Sequence, residues 1–215
     1  MKYTTIIFDL DGTLLNTLAD LAAATNHALA EHKLPQRTTD EVRLFVGNGI
    51  RKLIERAVPA DTPAELQEEV FASFNRYYKQ HCADSTRPYE GVPQLLQQLR
   101  AAGCRTAIVS NKADYGVQAL AKQYFDGQLD AACGERAGIA KKPAPDMLLA
   151  IMQQLHAEPA STIYIGDSDT DIATASNAGV ACIGACWGFR GRAFLEAHGA
   201  KLLAENVGDI WELIK

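Results

Sequence analysis

The sequence lacks the features that would place the chain in a membrane, on a nucleic acid or outside the cell. No apolar run approaches the roughly 18 residues that a transmembrane helix requires. The net charge is only −5 and no block of one sign occurs, which argues against nucleic acid as a partner. Asp9 and Asp11 interrupt the short N-terminal apolar run, so we expect no signal peptide.

Paired cysteines are also missing. The cysteines are odd in number, and no Cys-x-x-Cys pair occurs among them: Cys82, Cys104, Cys133, Cys182 and Cys186. This predicts free thiols in a reducing compartment, and therefore a cytoplasmic protein. His81 and Cys82 are adjacent but have no companion ligands at the spacing of a zinc site, so no zinc is expected.

What the chain does contain is an alternation of short apolar runs with longer amphipathic stretches. Strands rich in Ile and Val that alternate with helices predict an α/β fold, a Rossmann-like parallel sheet with helices on both faces. The predicted strands are Thr4–Phe8, Arg105–Ser110, Gln128–Cys133, Thr162–Ile165, Val180–Ile183 and Lys201–Leu203. Predicted helices lie between them, over Val92–Ala102, Tyr115–Tyr124, Pro145–Leu155, Asp169–Ala178, Arg190–His198 and Val207–Ile214.

From about Asn16 to about Thr86 this alternation stops. Helical patterns fill the region, over Leu18–Glu31, Thr39–Val46, Ile50–Val58 and Ala64–His81, and the segment from Thr38 to Glu41 resembles a capping box. We therefore predict an all-helical cap domain at residues 16–86, inserted into a core domain of residues 1–15 and 87–215. Because the insertion follows the first strand, we expect the cap to act as a lid that excludes water and selects substrate.

Two carboxylates stand where the first strand should end. Asp9 and Asp11 are two residues apart, so their side chains are predicted to point to the same side, and Gly12 then allows a turn. Two carboxylates in one small volume are costly unless a cation offsets their repulsion. Such a pair suits a two-part reaction, in which one carboxylate attacks and the other moves a proton.

Two later segments offer groups for an anion. Ser110 and Asn111 end the second core strand, where a hydroxyl and the following backbone N–H groups can donate to a phosphate oxygen. Lys142 precedes a proline-rich helix start, where Pro143 or Pro145 suits the first turn. An ammonium beside the positive end of a helix attracts an anion.

A second acidic segment follows the strand at Thr162–Ile165. Asp167 falls at the strand end and Asp171 four residues later, so both can face one point across the turn into a helix. Hard oxygen ligands of this kind suit Mg²⁺. The glycine and distal glutamate of an EF-hand calcium loop are missing at the required positions, so we exclude that motif.

All four segments are placed at the carboxyl ends of predicted strands or at the helix starts that follow, the expected active edge of a parallel sheet. Together they supply a nucleophile, an acid/base, a hydroxyl, an ammonium and metal-binding carboxylates. Phosphoryl transfer needs this assortment, because Mg²⁺ and Lys142 would offset the repulsion between a carboxylate and a phosphate dianion.

The four segments, in this order, resemble the haloacid dehalogenase superfamily of phosphohydrolases over nearly the whole chain. The resemblance implies that Asp9 is the nucleophile and forms an aspartyl-phosphate, and that Asp11 protonates the leaving oxygen and then activates water. It implies that the phosphoryl group is held by Ser110, with Asn111, and by Lys142. It further implies that Mg²⁺ is bound by Asp9, by the backbone carbonyl of Asp11 and by Asp167, with Asp171 as ligand or orienting neighbour.

The helical insertion matches the C1 cap of that superfamily. Its segment Phe45-Val46-Gly47-Asn48-Gly49 is similar to the phosphoglycolate phosphatase branch, as is Trp187-Gly188-Phe189-Arg190 in the core. Gly47, Asn48 and Gly49 could offer backbone amides to a small anionic substrate, or could simply end one helix and start another. Arg51 could reach a substrate carboxylate, or could be a surface residue.

The sequence leaves the substrate open. We expect a Mg²⁺-dependent phosphatase for a small phosphorylated metabolite, with 2-phosphoglycolate as one candidate. A hexose phosphomutase or an inorganic pyrophosphatase of the same superfamily, and a non-catalytic phosphate-binding module, remain alternatives. No long exposed apolar stripe stands out, so a monomer or weak dimer is expected.

Overall fold

The computed structural model describes residues 1–215, and its contacts divide the chain into two compact units. The first unit, called the core here, consists of Met1–Leu15 and Pro88–Lys215. The second, called the cap, consists of Asn16–Arg87, so the return boundary falls one residue later than the sequence pattern placed it. Within the chain, no helix is both long enough and apolar enough to cross a membrane.

The core contains a six-stranded parallel sheet, which confirms the predicted α/β fold. In chain order the strands of the protein are β1 Thr5–Phe8, β2 Leu15–Asn16, β3 Arg87–Pro88, β4 Arg105–Ala113, β5 Ala131–Glu135, β6 Thr162–Gly166, β7 Ala181–Ala185 and β8 Leu202–Ala204. The large sheet has the order β5-β4-β1-β6-β7-β8, and β2 pairs with β3 in a separate two-stranded sheet.

Burial explains why the central strands consist of continuous apolar residues. Every residue of β1 and of β6 is buried, because helices cover both faces of a parallel sheet. In the pairing of these two strands, Ile6 lies opposite Ile163 and Phe8 opposite Ile165. The chain passes from β1 to β4 and β5 on one side and then crosses to β6, β7 and β8 on the other, so the reversal of strand order between β1 and β6 opens a crevice at their carboxyl ends.

The core helices are α5 Val92–Ala101, α6 Asp114–Phe125, α7 Asp146–Gln154, α8 Asp169–Ala178, α9 Arg192–Ala197 and α10 Asp209–Ile214. They follow the predicted helices with shifts at the ends. The prediction that Pro143 or Pro145 lies in a first helical turn is wrong, because Pro145 is the N-cap and α7 starts at Asp146. Lys142 is therefore separated from the helix start by the whole proline segment.

Two strand boundaries differ from the prediction by three residues, whereas the other strand ends shift by two residues or fewer. β4 continues to Ala113 instead of ending at Ser110, because a register shift between Val109 and Ala113 lets the strand resume pairing with β5. β5 begins at Ala131 rather than Gln128, because the N–H of Gln128 donates to the carbonyl of Phe125 in a turn that follows α6. The first difference places additional polar residues next to the candidate site.

The cap is built from four helices: α1 Leu18–Glu31, α2 Thr39–Phe45, α3 Ile50–Ala57 and α4 Ala64–His81. α1 packs along α4, with Leu29 and Phe74 fully buried. The predicted capping box is confirmed, since Thr38 and Glu41 exchange hydrogen bonds at the start of α2. The buried Asp20 accepts hydrogen bonds from the backbone N–H groups of Ser85 and Thr86, which fixes the end of the cap to its first helix.

Candidate active site

The site begins at Asp9, the first residue beyond β1. Its backbone N–H donates to the carbonyl of Ile165, so the ladder between β1 and β6 continues through it. The buried carboxylate accepts a hydrogen bond from the N–H of Leu10 at 2.7 Å and pairs with the Lys142 ammonium at 3.0 Å. Burial raises the pKa of Asp9 to about 6, against the lowering effect of Lys142.

Lys142 joins two of the predicted acidic residues. Its Nζ lies 3.0 Å from Asp9 Oδ1 and 2.7 Å from Asp171 Oδ1, and its side chain is only 2% exposed. Burial alone would lower the pKa of this lysine, but Asp171 and Asp9 outweigh it and raise the pKa above its ordinary value. Lys142 is therefore a fixed positive charge, and the Tyr164 hydroxyl accepts a further hydrogen bond from it at 2.9 Å.

Asn111 holds the backbone of Lys142. Its Nδ2 donates to the carbonyl of Lys142 at 3.0 Å, and its Oδ1 accepts from the N–H of Lys142 at 2.8 Å. The side-chain amide predicted to contact phosphate thus positions the residue that carries the charge. Ser110 lies beside it at the end of the regular part of β4 and is almost completely buried.

Asp167 and Asp171 come from the end of β6 and the first turn of α8. Asp167 Oδ2 accepts a hydrogen bond from the N–H of Phe189 at 2.7 Å. Asp171 Oδ2 accepts from the N–H and the hydroxyl of Ser168, at 3.0 and 2.6 Å, which caps α8. Both oxygens of Asp171 are therefore hydrogen bonded, since Lys142 occupies the other.

The carboxylates can hold a divalent cation. Asp9, Asp167 and Asp171 each offer a ligand atom, and these atoms all lie within 4.8 Å of one another. Burial first, and then the charges of Asp171 and Asp9, raise the pKa of Asp167 well above its usual range. With Asp11 included, four carboxylates face the ammonium groups of Lys112 and Lys142, and Mg²⁺ would offset the remaining negative charge.

The turn after β1 has no room for a side chain. Gly12 adopts φ +84°, and a Cβ there would overlap the Asp167 carboxylate. Gly188, in the segment after β7, lies equally close, because its Cβ would overlap Asp167 and approach the carbonyl oxygen of Gly12 to 2.5 Å. The indole N–H of Trp187 donates to the carbonyl of Thr13. Together with the close approach of Gly188, this contact packs the segment after β7 against the turn that follows β1 and against the Asp167 carboxylate.

Sequence reasoning missed two contributors to this site. The backbone N–H of Phe189 holds Asp167, and only its place in a segment similar to a known branch drew attention to it. Lys112 pairs with Asp11 at 3.0 Å and is almost completely buried. The sequence pattern placed Lys112 beyond the predicted strand end at Ser110, and strand alternation gave no signal for it, because β4 continues through a register shift between Val109 and Ala113.

Asp11 does not join the three clustered carboxylates. The sequence predicted that the side chains of Asp9 and Asp11 would converge. Asp11 is close enough for its negative charge to help raise the pKa of Asp9. The Asp11 carboxylate instead points to Lys112, with both oxygens within 3.3 Å of Nζ. Its carboxylate is thus kept apart from the metal-binding set.

The glycine pair predicted to contact substrate shapes the start of α3 in the cap. Gly47 and Gly49 adopt φ +117° and +86°, backbone conformations that favour glycine, and Gly49 is the N-cap of α3. Between them, Asn48 Oδ1 accepts a hydrogen bond from Arg56 at 2.8 Å. Gly47, Asn48 and Gly49 therefore form the junction between α2 and α3 in the cap.

Arg51 is also engaged within the cap. Its guanidinium forms an ion pair with Glu68 and lies over the ring of Phe71, 4.3 Å from the centroid. About half of the side chain is exposed. These partners give Arg51 a place in the packing of α3 on α4.

Comparison with known proteins agrees with this geometry. Residues 6–185 match the model of the haloacid dehalogenase-like hydrolase family, and the chain belongs to that family. A phosphoglycolate phosphatase from Haemophilus influenzae is 36% identical over 87% of this chain and 88% of its own length, and one from Aquifex aeolicus is 32% identical over 86% and 85%.

A solved structure leads to the same relatives. A proposed phosphoglycolate phosphatase from Lactobacillus delbrueckii subsp. bulgaricus superimposes with a TM-score of 0.95 and 34% identity, covering 100% of this chain and 99% of its own. The prediction of a phosphomonoester hydrolase of the haloacid dehalogenase superfamily, similar to phosphoglycolate phosphatases, is confirmed.

Proposed function

We propose that the protein is a Mg²⁺-dependent phosphatase that hydrolyses a small phosphomonoester through an aspartyl-phosphate, with 2-phosphoglycolate as the first candidate substrate. The observation that carries the proposal is the buried cluster of Asp9, Asp167 and Asp171 around the ammonium of Lys142. The phosphoglycolate phosphatases among its relatives support the choice of substrate.

Asp9 is the proposed nucleophile. Its Oδ1 is already held by Lys142 and by the N–H of Leu10, so the carboxylate has a fixed orientation before substrate arrives. Lys142 offsets the negative charge of the incoming phosphoryl group, in a site where little water screens the attraction. Ser110 is proposed to donate its hydroxyl to a phosphoryl oxygen, and Asn111 to keep Lys142 in place.

Mg²⁺ would be held by carboxylate oxygens of Asp9 and Asp167 and by the backbone carbonyl of Asp11, and would supply positive charge beside Asp9 that offsets the charge of a phosphate. Asp171 was predicted as ligand or orienting neighbour. Because both of its oxygens already accept hydrogen bonds, we assign it the second role, holding Lys142 and the start of α8.

Asp11 is the proposed acid and base. It protonates the leaving oxygen as Asp9 attacks phosphorus, and in the second step it takes a proton from the water that cleaves the aspartyl-phosphate. The cap is proposed to close over the reaction and to select the substrate, with Gly47, Asn48, Gly49 and Arg51 as the first cap positions to test.

The location and partners follow from the same proposal. All five cysteines are free, which supports a cytoplasmic protein. Its partner is then a small phosphorylated metabolite, handled by a monomer or weak dimer without nucleic acid or membrane.

The test is a panel of phosphorylated metabolites assayed for phosphate release with and without Mg²⁺. We expect Mg²⁺-dependent release, fastest from a small phosphomonoester such as 2-phosphoglycolate. Interconversion of sugar phosphates without release would identify a phosphomutase, and preference for pyrophosphate would identify a pyrophosphatase. Absence of turnover with any member, including an aryl phosphate, would contradict the proposal and favour a binding module.

A further inference from the structure

Lys112 has a contact pattern that the proposed mechanism does not yet use. Its Nζ lies 3.0 Å from Asp11 Oδ1 and 3.3 Å from Asp11 Oδ2, so both carboxylate oxygens share one ammonium. The side chains of Lys112 and Asp11 are 2% and 14% exposed. A carboxylate held at both oxygens is restrained in rotation as well as in position.

The backbone around Lys112 is arranged to bring it inward. Ser110, Asn111 and Lys112 are buried in succession, as expected for a strand of a parallel sheet that is covered on both faces. The register shift between Val109 and Ala113 coincides with this run, and bulges of this kind re-aim side chains next to active sites.

Two glycines leave space for the same residue. A Cβ on Gly134 of β5 would come within 2.6 Å of the carbonyl oxygen of Lys112, so only glycine permits this approach of the two strands. A Cβ on Gly116 of α6 would touch the Lys112 stem at 3.4 Å. The backbone of Lys112 is therefore packed closely on β5, and its side chain lies against α6.

The two buried lysines divide the carboxylates between them. Lys142 pairs with Asp9 and Asp171, and Lys112 pairs with Asp11. A buried ion pair is by itself weak support for a stabilising role, since an apolar pair of similar volume often does as well. The division has a chemical consequence instead: the Asp11 carboxylate is oriented toward Lys112 rather than toward Lys142.

We propose that Lys112 is a positioning residue for Asp11, which it holds in the orientation needed to exchange a proton with the leaving oxygen and with water. The inference rests on the proposed function, because it assumes that Asp11 is the acid and base. No group is transferred to Lys112, and its three protons remain on Nζ throughout.

The first experiment compares Lys112→Met and Lys112→Arg with Lys122→Met, which removes an exposed lysine from α6. kcat/KM is measured for an alkyl phosphate and for p-nitrophenyl phosphate, whose good leaving group needs less protonation. Because general acid catalysis contributes about 10²–10⁴-fold, we expect Lys112→Met to lose roughly 100-fold on the alkyl ester and clearly less on the aryl ester. Lys112→Arg should recover part of the loss, and Lys122→Met should match the wild type.

Equal losses of kcat/KM on both esters, or no loss, would overturn the inference. The proposed function would fail separately, through a wild-type protein that turns over neither ester with Mg²⁺, or an Asp9→Asn variant that keeps its activity. The two failures are therefore distinguishable within one set of assays.

A double-mutant cycle removes the effect of folding. Lys112→Met leaves the partly buried Asp11 without this ion pair, so thermal melting of each variant is recorded. The double variant Asp11→Asn/Lys112→Met removes both charges. If Lys112 acts through Asp11, adding Lys112→Met to Asp11→Asn changes kcat/KM by less than about 3-fold. A full additive loss in the folded double variant would contradict the inference, even if Lys112→Met alone does not fold.

Discussion

The ion pairs of the candidate site in the core and those of the cap differ in how far they are exposed to solvent. In the core, Lys112 and Lys142 are each 2% exposed and pair with acids far away in the sequence. In the cap, the pair of Arg51 and Glu68 is 50% and 60% exposed. Water can replace a lost partner at the surface, whereas a buried charge depends on the partner it has. The charged groups of the candidate site are therefore buried pairs, in which water cannot replace a lost partner.

This difference predicts which substitutions affect catalysis, which affect stability and which affect neither. Substitutions in the acidic cluster of the core should change the catalytic rate, the stability or both by large factors. Cap substitutions of exposed charges should leave the fold intact, so that any kinetic change they cause reports on substrate selection.

The largest effect is expected for Asp9→Asn. An amide is a poor nucleophile, so kcat should fall by on the order of 10⁴-fold or more. The variant should melt no lower than the wild type without Mg²⁺, because burial of this carboxylate already raises its pKa to about 6. Steady-state phosphate release and melting curves check both parts, with the exposed Asp126→Asn as a matched control.

A near-normal rate for Asp9→Asn would show that phosphorus is not attacked by this carboxylate. A rate loss accompanied by unfolding would leave stability as the cause, which the melting curve detects directly.

Lys142→Met should reduce stability as well as activity. It leaves the carboxylates of Asp9 and Asp171 buried without their shared cation, and breaking a buried pair in this way costs about 3–5 kcal/mol. Urea unfolding at pH 7.5 measures the loss. The loss should shrink at pH 5, where more of the Asp9 carboxyl is protonated because its pKa is raised to about 6. An unchanged unfolding midpoint at pH 7.5 would contradict the role of the pair.

Mg²⁺ should stabilise the folded protein more at high pH than at low pH. Burial raises the pKa of Asp9 from 3.8 to about 6 and raises that of Asp167 well above its ordinary value. Without a cation, the contribution from protonated Asp9 is complete below about pH 4 and is lost as the pH rises through 6. At 100 times its Kd, a ligand adds about 2.7 kcal/mol.

The measurement is the shift in Tm caused by Mg²⁺ at pH 7.5 and at pH 5. We expect the larger shift at pH 7.5, and expect Asp167→Asn to reduce it there. Equal shifts at both pH values, or a full shift in Asp167→Asn, would place the cation elsewhere.

The smallest effect on stability is expected for Arg51→Met in the cap. Its pair with Glu68 is half exposed, so Tm should change by no more than a degree or two. If Arg51 also contacts a substrate carboxylate, KM for 2-phosphoglycolate should rise several-fold, while KM for a phosphate ester without a carboxylate should not. Equal KM changes for both substrates would leave Arg51 with its packing role alone.

Part of the candidate site could be predicted from the sequence, and part could not. Asp9, Lys142 and Asp167 could be brought together in advance, because parallel strands bring their carboxyl ends to one edge. Strand alternation alone could not reveal the pair of Lys112 and Asp11, because it depends on a register shift in β4 that has no local sequence signal.

Backbone contributions were also beyond reach of the sequence. The N–H of Phe189 holds Asp167, and any residue type except proline could supply it. In the cap, Gly47 and Gly49 are explained by positive φ angles, so their presence alone could not distinguish a turn from a binding loop. The family resemblance supplied what spacing could not, namely the roles of the acidic residues.

The most direct test of the account is a crystal structure with Mg²⁺ and beryllium fluoride, which mimics a phosphoryl group on a carboxylate. We expect beryllium bound to Asp9, with a single cation held by oxygens of Asp9, Asp167 and the carbonyl of Asp11. A fluoride adduct on any other residue, or a cation that Asp9 and Asp167 do not share, would contradict it.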